Sequence, residues 1–96
     1  MNIYYQAREG RRGRFVGPDA ADVRAYLEVH YTEAGEMVID STQVDPALRG
    51  QGVAAQLLEA AVNKARQEGL KIYPVCSYAV KKMEGREAYA DVLASY

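Results

Sequence analysis

A short glycine-containing turn is the part of the sequence whose residue types best suit binding chemistry. It comprises Arg49, Gly50, Gln51, Gly52, Val53 and Ala54, and it leads into a long segment of helical periodicity. Glycine lets the backbone turn tightly, and the first amides of the following helix have no partner within the helix and point back at the turn. The helix dipole and the arginine add positive charge. The segment therefore predicts an anion site that favours a phosphate or diphosphate.

Two common nucleotide-binding motifs do not fit this turn. A P-loop ends in Gly-Lys-Ser or Gly-Lys-Thr, whereas this segment ends in Gly52-Val53-Ala54. A Rossmann fingerprint has three glycines near the start of a longer doubly wound domain, and only two are present here. The turn is therefore predicted to bind phosphate in another structural context.

The spacing Arg49-x-x-Gly52-x-Ala54 matches the Gln/Arg-x-x-Gly-x-Gly/Ala signature of the GCN5-related N-acetyltransferases, and the chain resembles that superfamily. The likeness is to its small, single-domain branch and extends over about residues 12 to 93. Besides the segment from Val44 to Ala54, it involves Lys64-Ala65-Arg66, Gly69-Leu70-Lys71-Ile72 and Pro74-Val75-Cys76-Ser77-Tyr78.

The resemblance implies a co-substrate, a reaction and a set of binding residues. Acetyl-CoA is expected to donate an acetyl group to a primary amine of an unidentified small molecule or protein. Its diphosphate is expected on residues 49 to 54. The pantetheine arm is expected beside the backbones of Gln43, Val44 and Asp45, where parallel strands should splay apart after Val44. No metal is expected, since the single histidine and single cysteine lie far apart in the sequence.

Two residues after the last predicted strand could take part in the chemistry. Cys76 stands where open α/β sheets bind ligands, and the resemblance places a cysteine near the thiol of CoA. It could protonate the departing thiolate or form an acetyl-cysteine intermediate, or it could simply be a small buried residue. Tyr78 could donate a proton from its hydroxyl or pack at the start of a helix.

The general base is harder to identify. An amine must lose a proton to attack, and members of the small branch usually carry a His-Thr pair where this chain has Ser41-Thr42. Asp40 is the predicted base, with Glu28 and His30 as alternatives that could instead form a polar sheet surface. Solvent could also accept the proton.

The elements that position these residues predict an α/β (α+β) fold with a mixed sheet. Residues 2 to 7 and 14 to 16 suggest short strands joined by a turn at residues 10 to 13, and Gly17-Pro18-Asp19 suggests another turn. Alternating residues 23 to 32, a turn at 33 to 36 and residues 37 to 44 predict an antiparallel pair. A helix is expected from Gln51 to Glu68, with an apolar stripe that includes Ala54. A parallel strand from Leu70 to Val75 should follow, then short helices over residues 78 to 83 and 86 to 93.

Composition limits the class of protein. The 96 residues predict one minimal acetyltransferase domain over residues 1 to 96, and 49% hydrophobic with 26% charged residues is an ordinary globular composition. A net charge of −1 argues against nucleic acid or membrane partners. The lone cysteine and the lack of a leader or membrane span predict a cytoplasmic protein, and a monomer or weak dimer is expected.

A basic cluster and two rival functions stay open. Arg8, Arg11, Arg12 and Arg14 could form a solvated hairpin or help to bind an anionic ligand or partner. The absent histidine motivates a non-catalytic CoA or acyl-CoA binding module as the alternative function. An anion-binding interaction domain is the third possibility, if the loop match is accidental.

Overall fold

The computed structural model describes residues 1–94. They form a five-stranded mixed sheet and two α-helices. The elements are β1 (Tyr4–Arg8), β2 (Arg12–Pro18), β3 (Val23–Tyr31), β4 (Glu36–Val44), α1 (Val53–Glu68), β5 (Lys71–Pro74) and α2 (Ser77–Met83), with 3₁₀ turns at Pro46–Leu48 and Glu87–Tyr89. The strand order is β1-β2-β3-β4-β5, antiparallel except for the parallel β4–β5 pair. This confirms the predicted mixed sheet. None of the helices in the described residues has both the length and the apolar character that a membrane span requires.

One face of the sheet forms the hydrophobic core with the helices. The strands contribute Phe15, Ala25, Leu27, Val29, Met37 and Ile39, and α1 contributes Val53, Leu57, Leu58, Ala61, Val62 and Ala65. None of these side chains is more than 3% exposed. The alternating pattern of the strands therefore identified the buried face of the sheet, and the helical pattern identified the face of α1 that packs on it. The expected stripe differs at its start, because Val53 is buried and Ala54 is only half-buried.

Glycines set both ends of α1. The helix begins at Val53 rather than at the predicted Gln51, because Gly52 caps it in a left-handed conformation with φ 75°. Gly69, with φ 69°, ends it as predicted, and its N–H donates to the carbonyls of Ala65 and Arg66. The helix is thus held between two residues whose backbone conformation other side chains rarely adopt.

The predicted helix over residues 86 to 93 is wrong. Only Glu87–Tyr89 forms a 3₁₀ turn, and the chain then extends beside β5. There the amide of Ile72 donates to the carbonyl of Val92 at 2.6 Å, and the amide of Ala94 donates to the carbonyl of Ile72 at 2.8 Å. The segment does not follow its helical periodicity because the free edge of β5 offers main-chain hydrogen-bond partners.

Side chains also tie this terminal segment to the body of the protein. The guanidinium of Arg66 forms an ion pair with Asp91 at 2.9 Å and donates to the carbonyl of Ala88. The side-chain hydrogen bond that Arg66 donates to Asp91 is the main cause that lowers the pKa of Asp91. The side chain of Ala88 in this segment is exposed.

The turn predicted at Gly17-Pro18-Asp19 begins later, because β2 continues to Pro18. Pro18 pairs with Val23 after a register shift. A side chain at Gly17 would approach the carbonyl oxygen of Asn2 to 2.8 Å, so the N-terminal segment crosses closely over this glycine. The glycine serves close packing rather than a turn.

We expect Leu57→Ala to destabilise the protein by about 2–5 kcal/mol, because Leu57 is fully buried between α1 and the sheet and its removal leaves a cavity. Chemical denaturation measures the free energy of unfolding. Asn63→Ala is the matched control, since Asn63 is exposed on the same helix, and it should change stability by less than about 0.5 kcal/mol. Equal effects of the two substitutions would contradict the packing described.

Candidate functional site

A gap opens where the two parallel strands separate. Their pairing runs from Glu36 opposite Lys71 to Ile39 opposite Pro74 and then ends. The amides of Val75 and Cys76 both donate to the carbonyl of Ile39, at 3.0 and 3.1 Å. The strands therefore part after Ile39, earlier than the predicted point after Val44.

A β-bulge lies at the same place on β4. On β3, Glu28 and Val29 face Ser41 and Ile39, so Asp40 is the extra residue in β4. Bulges bend a strand and redirect its side chains, and they are common beside functional sites. The bulge thus directs the last part of β4 away from β5.

The main chain beyond the bulge faces the gap. The amide of Asp45 donates to the carbonyl of Arg24 on the β3 side, at 2.8 Å. Because main-chain groups of an antiparallel pair alternate between the two sides of a strand, those of Val44 and Thr42 point away from β3. They face the space that β5 has left.

A cavity of about 280 Å³ occupies one end of this gap, between the start of α1 and α2. Its lining residues are Val44, Arg49, Gly50, Gly52, Val53, Ala54, Ala55, Tyr78 and Lys82. Most of the residues predicted to bind the cofactor therefore lie together. Gln43, Asp45 and Gln51 are not in this lining: Asp45 instead accepts a hydrogen bond from the amide of Ala47, and Gln51 donates to the carbonyl of Ala47.

The end of the cavity at α1 presents unpaired helix amides. Gly50 and Gly52 have φ values of 79° and 75°, and no side chain caps the helix. The first helical hydrogen bond runs from the amide of Gln56 to the carbonyl of Gly52, at 3.1 Å. The amides of residues 53 to 55 are therefore directed toward the turn, as the sequence predicted, and Arg49 is exposed beside them.

Cys76 lies at the start of α2, near the opposite side of the gap. It is half-buried, and its Sγ accepts a hydrogen bond from the amide of Ala79 at 3.4 Å. The same sulfur is 3.5 Å from Oγ1 of Thr42 on β4. Cys76 therefore joins the two sides of the gap, although it is not part of the cavity lining.

Tyr78, one residue into α2, lines the cavity directly. Burial is the main cause that raises the pKa of its hydroxyl, and Tyr89 and Cys76 add to the shift. The hydroxyl therefore carries its proton at neutral pH and can donate a hydrogen bond.

The family of the chain follows from its sequence. Residues 14–92 match the profile of the GCN5-related N-acetyl-transferase family. The chain belongs to that family. Acetyltransferase activity in general terms is supported by this membership, and no curated protein matches the chain in sequence.

Solved structures share the GNAT fold with this chain. A candidate GCN5-like N-acetyltransferase from Staphylococcus aureus is 32% identical, with a TM-score of 0.70 over 99% of this chain and 89% of that one. The ribosomal-protein-S18-alanine N-acetyltransferase of Escherichia coli is 18% identical, with a TM-score of 0.63 over 78% of this chain and 49% of that one.

A candidate streptothricin acetyltransferase from Bacillus anthracis, solved with acetyl coenzyme A, is 15% identical, with a TM-score of 0.61 over 80% of this chain and 46% of that one. At these low identities, the Escherichia coli and Bacillus anthracis proteins show the fold alone. The chain spans about half of their length.

Sequence reasoning missed Thr42, Ala55 and Lys82. The Nζ atom of Lys82 is 5.9 Å from the ring centroid of Tyr78, one helical turn earlier on α2. The spacing of four between these two residues was the available signal, since it places them on one face of a helix. The contact of Thr42 with Cys76 joins residues distant in sequence and had no local signal.

The residues considered as a general base lie on the other face of the sheet. The Nδ1 atom of His30 and the Oδ2 atom of Asp40 are 2.7 Å apart. Glu28 accepts a hydrogen bond from Oγ of Ser41 at 3.0 Å. In this GNAT chain the three candidates thus lie close together around the bulge, but none is in the lining of the cavity at the start of α1.

We expect Gly52→Ala to destabilise the protein by roughly 1–2 kcal/mol, because an alanine at φ 75° brings its Cβ too close to the next carbonyl. No atom lies within 4 Å of the position that a Cβ would take, so the cost comes from backbone conformation alone. Gly52→Asn is the matched control and should cost less, since asparagine tolerates this conformation. Thermal unfolding of both variants measures the difference; an alanine variant as stable as the wild type would contradict the left-handed cap.

Proposed function

We propose that the chain, as one domain over residues 1 to 96, is an acetyl-CoA-dependent N-acetyltransferase that acts on a primary amine. The observation that carries the proposal is the gap between β4 and β5, which connects the uncapped start of α1 with Cys76. Membership of the GNAT family supports it. So does the Bacillus anthracis relative, which shares the fold and was solved with acetyl coenzyme A.

In this proposal the diphosphate of the coenzyme binds at the start of α1. The free amides of residues 53 to 55 donate hydrogen bonds to its oxygens, and the helix dipole favours its charge. Arg49 and Lys82 border the same cavity and supply two full positive charges. Tyr78 provides an aromatic wall between α1 and α2.

The pantetheine arm then lies in the gap beside β4. It extends along the main chain of Val44 and Thr42, whose polar groups face this space and can hydrogen-bond its amides. The thioester reaches the region of Thr42 and Cys76, where a main-chain amide at the bulge can stabilise the oxyanion of the tetrahedral intermediate. The protein's main task is to place the two reactants together.

The reaction needs one proton removed and one supplied. The neutral amine attacks the thioester carbonyl, and the carbon–sulfur bond breaks to release CoA as a thiolate, which takes up a proton. Cys76 and Tyr78 are the groups on the coenzyme side that are proposed to supply this proton. Asp40, with His30 beside it, is the group proposed to accept the proton of the amine.

A non-catalytic CoA-binding module is the alternative, and the hydrogen bond between Ser41 and Glu28 favours it. This serine stands where small relatives are expected to carry histidine, and its hydroxyl is already engaged with a carboxylate at 3.0 Å. A chain that binds CoA and transfers no acetyl group to any amine would fit this alternative.

We expect Lys82→Gln to weaken CoA binding roughly tenfold, because an ion pair with a phosphate is lost. Isothermal titration calorimetry with CoA and with acetyl-CoA measures the dissociation constant. Lys81→Gln is the matched control, since Lys81 is exposed on the same helix and is absent from the cavity lining; its affinity should stay unchanged. Failure of the wild-type protein to bind either compound would refute both the enzyme and the binding module.

We expect Cys76→Ala to bind acetyl-CoA normally and to transfer the acetyl group about 100-fold more slowly, a typical loss for a proton-transfer group. Release of CoA in the presence of an amine gives the rate. Cys76→Ser keeps a proton donor at the start of α2, so its rate of acetyl transfer should fall less than that of Cys76→Ala. Wild-type rates in Cys76→Ala would make the cysteine a packing residue only.

Intact-mass spectrometry separates the two roles of Cys76. An added acetyl group on the wild-type protein, absent from Cys76→Ala and removed when the amine is added, identifies a nucleophile. A slow alanine variant without any acetylated wild-type protein identifies a proton donor.

A further inference from the structure

We propose that the acceptor amine also carries an acidic group, a carboxylate or phosphate, which Arg8 and Arg12 bind on the sheet face opposite α1. Glu28 and Asp40 then receive its ammonium end. This substrate class rests on the proposed function, since it describes the second reactant of the same site. The observation behind it is a small cavity that brings two arginines and two carboxylates together.

The cavity has a volume of about 90 Å³ and is lined by Arg8, Arg12, Gly13, Glu28, Val29 and Asp40. It is much smaller than the roughly 300–1,000 Å³ of pockets that enclose a drug-sized ligand. It can therefore hold one small molecule or one end of a longer one. Its walls come from β1 to β4, so the strands fix it without any loop.

The positions of the two arginines bring two positive charges close together. Arg8 and Arg12 face each other across the antiparallel pair β1–β2, and like charges in this position repel. Within the described residues, the side chain of Arg8 has no hydrogen-bond or ion-pair partner, and the side chain of Arg12 donates only to the carbonyl of Glu9, at 3.1 Å. A bound anion would remove this repulsion.

Neighbouring arginines behave differently. Arg14 donates to Oε1 of Gln6 at 2.9 Å, and Arg11 approaches Glu33 at 4.0 Å. Both have partners of their own, and neither is in the cavity lining. What sets Arg8 and Arg12 apart from the other two arginines of the cluster is that they line the cavity.

The opposite wall of the cavity is acidic and lies next to the gap. Asp40 is the bulge residue directly after Ile39, where β4 and β5 part. Glu28 pairs across the sheet with Ser41, the next residue of β4. An ammonium held between these carboxylates would therefore lie beside the proposed thioester position.

The arrangement of charges selects the substrate class. A simple alkylamine would contact only the acidic wall, whereas a plain anion would contact only Arg8 and Arg12. A molecule with an amine at one end and an acidic group at the other satisfies both. The short cavity favours compounds in which few bonds separate the two ends.

Matched pairs of acceptors test this proposal. Acetyl transfer, followed by release of CoA, is measured for β-alanine against propylamine and for phosphoethanolamine against ethanolamine. We expect the acidic member of at least one pair to have a kcat/KM roughly tenfold or more above its neutral counterpart, since charge-assisted hydrogen bonds are the strong ones. Equal values within both pairs would overturn the proposal and leave the proposed function intact.

Variants assign the preference to the two arginines. Arg8→Gln and Arg12→Gln should raise the KM for the acidic acceptor roughly tenfold and leave its kcat and the neutral acceptor unchanged. Arg11→Gln is the matched control, because Arg11 lies on the same hairpin outside the cavity lining and should keep the full preference. A similar loss in all three variants would indicate general basicity of the hairpin and refute a specific site.

A binding experiment decides the proposal even if no amine is acetylated. In the presence of CoA, β-alanine or phosphoethanolamine should shift the amide NMR signals of Gly13 and Val29 in the wild type and in Arg11→Gln, but not in Arg8→Gln. Absence of these shifts for both compounds would overturn the proposal. So would a single-stranded oligonucleotide that shifts the same signals at lower concentration, which would assign the arginines to nucleic acid.

Discussion

The early end of the β4–β5 ladder is the constraint on which the rest of the structure depends. One carbonyl, that of Ile39, accepts both the amide of Val75 and the amide of Cys76. At the next residue of β4, the bulge at Asp40 bends the strand. These two features act at one level of the sheet and open a gap in the middle of the fold.

The gap stays open because the elements on both of its sides, α1 and α2, are fixed by packing in the hydrophobic core. On one side, the buried stripe of α1 fixes the helix on the sheet, so its uncapped start has a defined position. On the other side, Ala79 and Met83 of α2 belong to the same core. A site between rigid elements can present main-chain amides without the reorganisation that a mobile loop would need.

The sequence was sufficient for the parts of the fold that depend on local pattern. Alternation at Ala25, Leu27 and Val29, the stripe of α1 after its first turn and the left-handed end at Gly69 follow from residue type and spacing, and the structure has them as predicted. The family signature also located the glycine turn. These features need no knowledge of what lies across the sheet.

Features that depend on distant partners were missed or misplaced. The segment after Glu87–Tyr89 has a helical sequence pattern but pairs with Ile72. The edge of β5 offers it hydrogen bonds that cannot be predicted from the local sequence. The bulge at Asp40 depends on how β3 and β4 align, so the predicted splay after Val44 fell too late. The contact between Thr42 and Cys76 exists only once the gap has formed.

The same bulge explains how so short a chain could serve two reactants. Side chains of neighbouring strand residues point to opposite faces, so Thr42 reaches Cys76 on the α1 face while Ser41 reaches Glu28 on the other. In the proposed function, the coenzyme and the acceptor approach from these two faces and meet in the gap between β4 and β5, where no strand separates them. The backbone of β4 borders this gap, so one strand positions both reactants for direct attack.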